Sequence, residues 1–403
     1  MNTQLSTIIS IIFTSILVLA LLDSAYLYLL AFASLRKTDP PKSNIPLLRF
    51  AAVIPAHNEA RVIGNTVGTI LAAGYPRHLL DVFVVADHCT DETAELAREA
   101  GAVCFELDEG ERSGKGRALS WLLMRIFEKH QDYQAVAVFD ADTQVQPSFF
   151  DIMSARLSTG VQVVQGNYVI RNPQDGWFPA LAWAMFLIDN RCQNLGRANL
   201  GLSAKNMGDS ICFQSGVLRW FGWGKGLTED YALRQRLLLE GIHIDYEPAA
   251  IGKGYAPVNW HEASIQRARW LVGTYQASRK WARKMLISGI KSRDPALIDG
   301  ALQALLPSYS TLTLVSGLIT VLTWIFYNWL WNWLPFAWTV LLVLLFIYPL
   351  ICLAFERAPL RAFTVIMTGP VFILWRTWLG FSSRFIKQEV SWERTPRRVK
   401  SGE

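Results

Sequence analysis

The sequence lacks the glycine-rich loops that hold phosphates in two large classes of nucleotide-binding enzymes. Neither the G-x-G-x-x-G pattern of dinucleotide oxidoreductases nor the G-x-x-x-x-G-K-[ST] pattern of P-loop ATPases occurs in its 403 residues. It also lacks a zinc-ligand pattern and a DNA- or RNA-recognition module. Nucleic acid is therefore not an expected partner, and a bound nucleotide must be held by other groups.

Cysteine is scarce. The five cysteines are odd in number and scattered, so they indicate neither a disulfide framework nor a metal cluster. We expect all of them to be reduced cytoplasmic thiols. They are Cys89, Cys104, Cys192, Cys212 and Cys352.

The N-terminal region is almost without charge. Residues 7–33 form an apolar run in which Asp23 is the only charged side chain. This run exceeds the roughly 20 residues that span the hydrocarbon core of a bilayer. A cleaved signal peptide is the alternative, but the run is long for one and has no basic leader. The pattern predicts an N-terminal transmembrane helix within residues 1–35.

A second apolar region occupies residues 300–385 and contains three hydrophobic segments, 307–329, 336–355 and 363–381. The connector 329–335 is aromatic and has no Lys or Arg, which is typical of the outer membrane interface. The last segment is interrupted by Gly369 and Pro370 and carries Arg376. We predict two to three transmembrane helices here.

Basic residues predict the orientation. They flank both ends of the central region, which places that region in the cytoplasm, and the net charge of +6 is explained by anionic lipid and phosphate. A basic tail, residues 386–403, should also be cytoplasmic. Three crossings would put it outside, so we predict that the third segment is re-entrant or interfacial. The flanking residues are Arg36, Lys37, Lys42, Arg49, Arg279, Lys280, Arg283 and Lys284.

The central region, residues 50–250, alternates β-rich runs with helical stretches, a pattern that predicts a parallel α/β sheet. Two further segments, 176–200 and 262–286, mix aromatic with basic side chains. Core-facing helices are one interpretation, and amphipathic helices in the headgroup layer are the favoured one. The β-rich runs are 51–55, 81–86, 103–106, 135–139 and 161–166.

Carboxylates follow two of these runs. Asp87 ends the second run, and Asp140 and Asp142 follow the fourth. In α/β folds, ligands bind beyond the carboxyl ends of the strands. Two carboxylates at this spacing can hold one Mg²⁺ or Mn²⁺ ion, which keeps positions open for phosphates. Such an ion would neutralise a departing diphosphate.

Six motifs follow one another along the central region. They are Val-Ile-Pro-Ala-His-Asn-Glu at 53–59, Asp-His-Cys-Thr-Asp at 87–91, Gly-Lys-Gly-Arg-Ala-Leu at 114–119, Asp-Ala-Asp at 140–142, Thr-Glu-Asp at 228–230 and Gln-Arg-Ala-Arg-Trp at 266–270. In this order they resemble the membrane-integrated inverting glycosyltransferases of family 2, which have a GT-A (Rossmann-like) fold. This family includes cellulose, chitin, hyaluronan and poly-N-acetylglucosamine synthases and ceramide glucosyltransferases. The resemblance covers about residues 50–270 and the flanking helices.

The resemblance implies a role for each motif. It implies that Asp230, in the catalytic triplet with Thr228 and Glu229, is the general base. It also implies Mg²⁺ or Mn²⁺ at Asp140 and Asp142, and UDP as the nucleotide. The acceptor end and the diphosphate would be contacted by Gln266, Arg269 and Trp270. The nucleotide-sugar contacts would be Pro55, Ala56, Glu59, Asp87, Lys115 and Asp140.

Three functions remain open at this point. The favoured one extends an extracellular polysaccharide at the bacterial inner membrane, with a partner subunit or an oligomer to complete the export path. The second adds one sugar to a membrane lipid. The third is a membrane scaffold with an inactive transferase domain, which the intact Asp230 and Arg269 disfavour.

Overall fold

Eight strands form one mixed sheet in the computed structural model, which describes residues 3–36, 47–224 and 226–382. The strand order is β3-β2-β1-β4-β7-β6-β8-β5. The strands are β1 Phe50–Ala56, β2 Leu80–Asp87, β3 Val103–Leu107, β4 Ala135–Val138, β5 Gln144–Val145, β6 Val163–Ile170, β7 Ile211–Gln214 and β8 Ile244–Gly254.

The predicted GT-A, Rossmann-like α/β fold is confirmed, but the sheet is not wholly parallel. Strands β1, β2, β3 and β4 pair in parallel. Strand β7 runs antiparallel to both β4 and β6, and β5 runs antiparallel to β8. The prediction of a parallel sheet was wrong there because β5 and β7, with two and four residues, are too short to show a period.

The described residues contain fifteen α-helices, and a π-helical stretch, Asp189–Leu195, joins α6 to α7. The helices before the long α10 are α1 Thr3–Ala33, α2 Ile63–Leu71, α3 Thr93–Glu99, α4 Lys115–Lys129, α5 Phe149–Leu157, α6 Trp177–Ile188, α7 Gly196–Asn199, α8 Ser215–Phe221 and α9 Glu229–Leu239. The others are α10 Trp260–Ser292, α11 Pro295–Leu305, α12 Tyr309–Ile325, α13 Leu334–Phe355, α14 Leu360–Ile366 and α15 Gly369–Ser382.

Both faces of the sheet are buried. Side chains alternate between faces along a strand, so Ile54 and Val84 pack with α2 and α5 on one side. Val53 and Val85 pack with α4 and α9 on the other. Because helices cover both faces, the open end of the sheet is where a ligand can reach the strand ends.

Two helices, α1 and α13, are long and apolar enough to cross a membrane. Two further pairs qualify only as bent pairs: α11 with α12, bent by 55°, and α14 with the described part of α15, bent by 49°. The second bend falls within the predicted irregular segment 363–381. Whether that segment crosses the membrane stays a prediction, and the tail 386–403 lies outside the described residues.

The two predicted amphipathic segments are helical. Segment 176–200 is the continuous run from α6 to α7, and segment 262–286 lies within α10. Aromatic side chains join them to α15: Trp177 stacks on Trp260 with ring centroids 5.0 Å apart, and Trp260 meets Trp375 at 5.0 Å. Their position in a headgroup layer stays a prediction.

The expectation of five reduced thiols was wrong for one pair. Cys192 and Cys352 are joined as a disulfide with their Cα atoms 5.9 Å apart, whereas Cys89, Cys104 and Cys212 are free. The two cysteines are 160 residues apart in the sequence, and spacing alone does not predict a pairing over such a distance.

Candidate functional site

Strand ends and helix N-termini surround one cavity at the open end of the sheet. We call it the first cavity. It gathers the predicted site residues from all six motifs, with the exception of Asp142. The predicted residues that line it are Pro55, Ala56, Glu59, Asp87, Lys115, Asp140, Thr228, Glu229, Asp230, Gln266, Arg269 and Trp270.

Asp87 forms the β2 edge of this cavity. The side chain is 7% exposed, and its Oδ1 lies 2.8 Å from Nδ1 of His88. This contact with Asp87, together with the carbonyl of Gly110, raises the pKa of the His88 imidazole. His57 is held by the same strand end, since its Nδ1 lies 2.6 Å from the Asp87 carbonyl oxygen. His88 therefore holds the carboxylate that the resemblance assigns to the nucleotide, and His57 holds the backbone of the same residue.

Lys115 begins α4 and points into the middle of the cavity. Its Nζ donates to Asp140 Oδ1 at 2.5 Å and to the Gly208 carbonyl at 2.6 Å. Burial lowers the Lys115 pKa, but the charges of Asp140 and Glu229 outweigh it, and the net pKa is raised. The ammonium therefore stays protonated at neutral pH and can contact an anionic ligand.

Helix α9 presents its first turn, Glu229 and Asp230, to the cavity. The backbone N–H of Tyr231 donates to Asp230 Oδ1 at 2.8 Å. Burial raises the pKa of Asp230, and that N–H, Lys115 and Arg269 act against the rise. Burial and the charge of Asp230 raise the pKa of Glu229 to about 7. One carboxylate of the pair is thus poised to exchange a proton near neutral pH.

Helix α10 forms the opposite wall. Asn259 is its N-cap: Asn259 Oδ1 accepts from the Glu262 N–H at 2.9 Å, and Asn259 Nδ2 donates to Glu262 Oε1 at 2.7 Å. Gln266 and Trp270 are four residues apart, so they share the face of the helix that lines the site. Burial lowers the pKa of Arg269, and Glu229, Asp230 and Asp140 partly restore it.

Oxygen ligands suited to a hard cation lie where β4 ends. Asp142 is 3% exposed, and its Oδ2 accepts from the Tyr255 N–H at 3.1 Å. Asp209 is also buried here; burial and the charge of Asp140 raise its pKa to about 7. Among the described residues, no group of three His, Cys, Asp or Glu side chains is arranged to hold a metal ion by itself. Carboxylate oxygens such as those of Asp140 and Asp142 are the ligand type that Mg²⁺ and Mn²⁺ prefer.

A second cavity of about 600 Å³ adjoins the first. Asp140, Asp230, Gln266 and Trp270 line both cavities, whereas Asp142 lines only the second of these two. The second cavity continues away from the sheet between α6, α10, the α11–α12 bend and α15. The site thus has one compartment at the strand ends and one beside the apolar helices.

Several residues that line the cavities were not among the predicted site residues. Gly208 has φ +74°, and a Cβ there would lie 3.0 Å from Asp230 Oδ2, so its turn sets how closely the chain approaches the carboxylate. Tyr255 lines both cavities, and Arg267 and Arg376 line the second. The sequence offered a signal only for the arginines, as charges within aromatic, apolar segments.

Comparisons with known proteins match the central region. The family described as "Glycosyltransferase like family 2" matches residues 46–273, which is more than half of the chain. The probable glycosyltransferase YdaM of Bacillus subtilis is 26% identical over 239 residues, covering 56% of this chain and 55% of that protein. The poly-beta-1,6-N-acetyl-D-glucosamine synthase of Staphylococcus aureus is 27% identical over 266 residues, covering 64% and 62%.

The chain therefore spans less than two thirds of the length of these curated relatives. Among solved structures, the mannosyltransferase PcManGT from Pyrobaculum calidifontis, in complex with GDP-Man and Mn²⁺, is similar with a TM-score of 0.57 at 19% identity. That similarity covers 94% of this chain and 99% of the other, and it shows a shared fold.

Proposed function

The chain belongs to the glycosyltransferase-like family 2 of nucleotide-sugar-dependent transferases, and from that premise we propose that it transfers a sugar from a UDP-sugar to an acceptor at the membrane, with inversion at the anomeric carbon. One observation carries this proposal. Asp230 and Trp270 lie on the wall that the two cavities share. A sugar whose nucleotide occupies the first cavity would present its anomeric carbon to an acceptor in the second.

Asp230 is the base in this scheme. The acceptor hydroxyl gives its proton to the Asp230 carboxylate while its oxygen attacks the anomeric carbon, and the bond to the nucleoside diphosphate breaks. Lys115 and Arg269 lie near the carboxylates and supply positive charge toward the leaving diphosphate. Trp270 offers a flat face for a sugar ring.

Asp140 and Asp142 would hold Mg²⁺ or Mn²⁺ together with the diphosphate. Bound there, the ion supplies positive charge that stabilises the leaving group. The protein's own contribution is to fix Asp140 through Lys115 and Asp142 through the Tyr255 N–H. The PcManGT structure contains Mn²⁺ and GDP-Man, so we include GDP-mannose among the donors and Mn²⁺ among the metal ions that the assay tests.

Two acceptors are proposed. A growing extracellular polysaccharide is supported by the likeness to poly-beta-1,6-N-acetyl-D-glucosamine synthase, at 27% identity. A membrane lipid is favoured by a separate observation: apolar side chains of α6 and α10 form part of the second cavity's wall, and the cavity reaches Leu306 and Ser308 at the α11–α12 bend. A lipid head group at the membrane surface could enter there.

The proposed location follows from charge. Arg36 follows α1, and four basic residues at 279–284 lie in the second half of α10, so the domain between them is proposed to be cytoplasmic. With α1, α13 and the bent pairs as spans, the protein would be a multi-pass protein of a bacterial inner membrane.

The test uses the detergent-purified full chain with UDP-sugars or GDP-mannose, Mg²⁺ or Mn²⁺, and bacterial lipid extract added or omitted. Nucleotide release is followed, and products are sized. Long products from donor alone support the polysaccharide, and a single-sugar product that needs lipid supports the lipid acceptor. No nucleotide release and no donor binding under any condition would contradict the proposed transfer.

A further inference from the structure

Two arginines meet at the far wall of the second cavity. Arg267 is on α10 and Arg376 is on α15. The Arg267 guanidinium lies 4.9 Å from the ring centroid of Trp270 and 5.4 Å from that of Phe372. Arg376 Nη1 donates to Ser310 Oγ at 2.9 Å. Rings and a hydroxyl fix both cations in place without neutralising them.

The positive charge at this wall is not balanced. Within residues 3–36, 47–224 and 226–382, neither arginine forms an ion pair, and the buried Nε of Arg267 has no hydrogen-bond partner. The acid that acts on both arginines is Asp189, which already pairs with Lys205 at 3.0 Å. Burial and the charge of Arg376 lower the pKa of Arg267 to about 10.

Arg269 lies two residues further along the same helix, but the acids around it are not those around Arg267. Its neighbouring acids are Glu229, Asp230 and Asp140, the carboxylates of the first cavity. Those acids do not act on Arg267. The second cavity therefore has an acidic end at Asp140, Asp142, Asp209 and Asp230, and a cationic end at Arg267 and Arg376. Asp189 is shared between the two arginines and is already paired with Lys205, so positive charge remains in excess at this end, which points to an anionic ligand.

The surroundings of the cationic end are apolar. Phe178, Met185 and Phe186 of α6 and Leu271 of α10 line the same cavity. Ser308, at the bend between α11 and α12, and Arg376, on α15, also line it. A small free anion has no apolar surface to bury against these walls. The acyl or prenyl chain of a membrane lipid would bury apolar surface there and gain free energy of binding.

We propose that Arg267 and Arg376 bind the phosphate of a membrane-lipid acceptor and orient its sugar-accepting end toward Asp230. Guanidinium groups suit this role because they present forked donors to phosphate oxygens. The inference rests on the proposed function, since it names the acceptor class of the same site. It selects the lipid over the neutral polysaccharide.

The experiment measures binding of radiolabelled phosphatidic acid to the full chain in neutral detergent, against diacylglycerol with the same acyl chains and against glycerol phosphate. UDP binding is measured in the same samples. The variants are Arg267→Gln, Arg376→Gln and Arg267→Lys. Arg98→Gln is the matched control, because Arg98 is an exposed cation on α3 that lines neither cavity.

Phosphatidic acid should bind at least about 10-fold more tightly than diacylglycerol, and each Gln variant should weaken it by about 10- to 100-fold, as expected for a lost charged hydrogen bond. Arg267→Lys should keep part of the affinity. Arg98→Gln should bind phosphatidic acid as the unaltered protein does, and the affinity for UDP should be the same in all variants. Unchanged phosphatidic-acid binding in both Gln variants overturns the inference. If glycerol phosphate binds as tightly as phosphatidic acid, the ligand is not a lipid, and the proposed lipid acceptor is overturned. If the unaltered protein does not bind UDP, that result would instead count against the proposed function.

Discussion

Arg197 and Asp299, 102 residues apart in the sequence, form a buried ion pair with the arginine Nε 3.1 Å from Oδ2 of the carboxylate. Both side chains are at most 3% exposed. Tyr26 of α1 donates to the same carboxylate, and Arg234 of α9 lies 3.7 Å from it. The network therefore ties the N-terminal apolar helix and α11 to the helix whose first turn carries Asp230.

Replacing Asp299 by Asn should destabilise the protein strongly. The change leaves two buried arginines, Arg197 and Arg234, without their shared counter-charge, and loss of one partner of a buried pair costs about 3–5 kcal/mol. Thermal unfolding of the detergent-solubilised variant measures the effect.

Glu106→Gln is the matched control. It removes an acid whose ion pair with Arg98 is exposed, with side chains 48% and 44% accessible, so its cost should stay below about 1 kcal/mol. Equal unfolding temperatures for the two variants would show that the Asp299 network does not stabilise the fold.

The strand-end carboxylates could be predicted because each follows a visible apolar run. Asp87 ends β2, and Asp140 and Asp142 follow β4 within four residues. The short antiparallel strand β7 could not be predicted, since four residues carry no clear period. The second cavity could not be predicted either, because Arg267 and Arg376 meet only through the packing of α10 on α15.

Asp230→Asn should abolish transfer and leave donor binding intact. The amide keeps the shape and the hydrogen bond from the Tyr231 N–H but cannot accept the acceptor's proton. A general base contributes about 10²- to 10⁴-fold to the rate, so kcat should fall by that factor while the Kd for the nucleotide stays near its original value. Stopped nucleotide-release assays and equilibrium binding measure the two quantities. Asp245→Asn, on β8 outside both cavities, is the control, and near-normal turnover of Asp230→Asn would remove Asp230 from its role.

The rate should fall on the acid side of neutrality. A base must be deprotonated to act, and burial raises the pKa of Asp230, so kcat should be lost as the pH falls through a value above the ordinary carboxyl range. Lys115 lowers the pKa of Asp230 and that of Glu229, which lies at about 7. Lys115→Gln should therefore move the acid limb of the kcat profile to higher pH. The profile is measured at saturating donor, and a shift to lower pH would contradict this electrostatic assignment.

Asp142→Ala should weaken metal-dependent donor binding. Its carboxylate is proposed to share Mg²⁺ or Mn²⁺ with Asp140 and the diphosphate, and the ion would lose one of its two protein ligands. Titration of the nucleotide-sugar with and without Mn²⁺ should show the metal-dependent gain in affinity shrink by roughly 10-fold or more, as for loss of a ligand or its support. As a control, the unfolding temperature of the variant is compared with that of the unaltered protein in the absence of nucleotide and metal. The two temperatures should be similar. An unchanged metal-dependent gain would exclude Asp142 as a ligand.

Gly208→Ala should impair transfer more than it impairs folding. Gly208 has φ +74°, and a Cβ at this position would lie 3.0 Å from Asp230 Oδ2. A left-handed conformation costs an alanine about 1–2 kcal/mol, but displacement of the base by a fraction of an ångström should lower kcat by up to about 100-fold.

Gly216→Ala is the matched control, because Gly216 lies in α8 and an added Cβ there meets nothing within 4 Å. That variant should keep its kcat and gain about 0.5–1 kcal/mol of helix stability. Both variants are compared by kcat at saturating donor and by thermal unfolding. If Gly208→Ala unfolds earlier while its kcat stays at the original value, the turn supports the fold alone and does not set the position of Asp230.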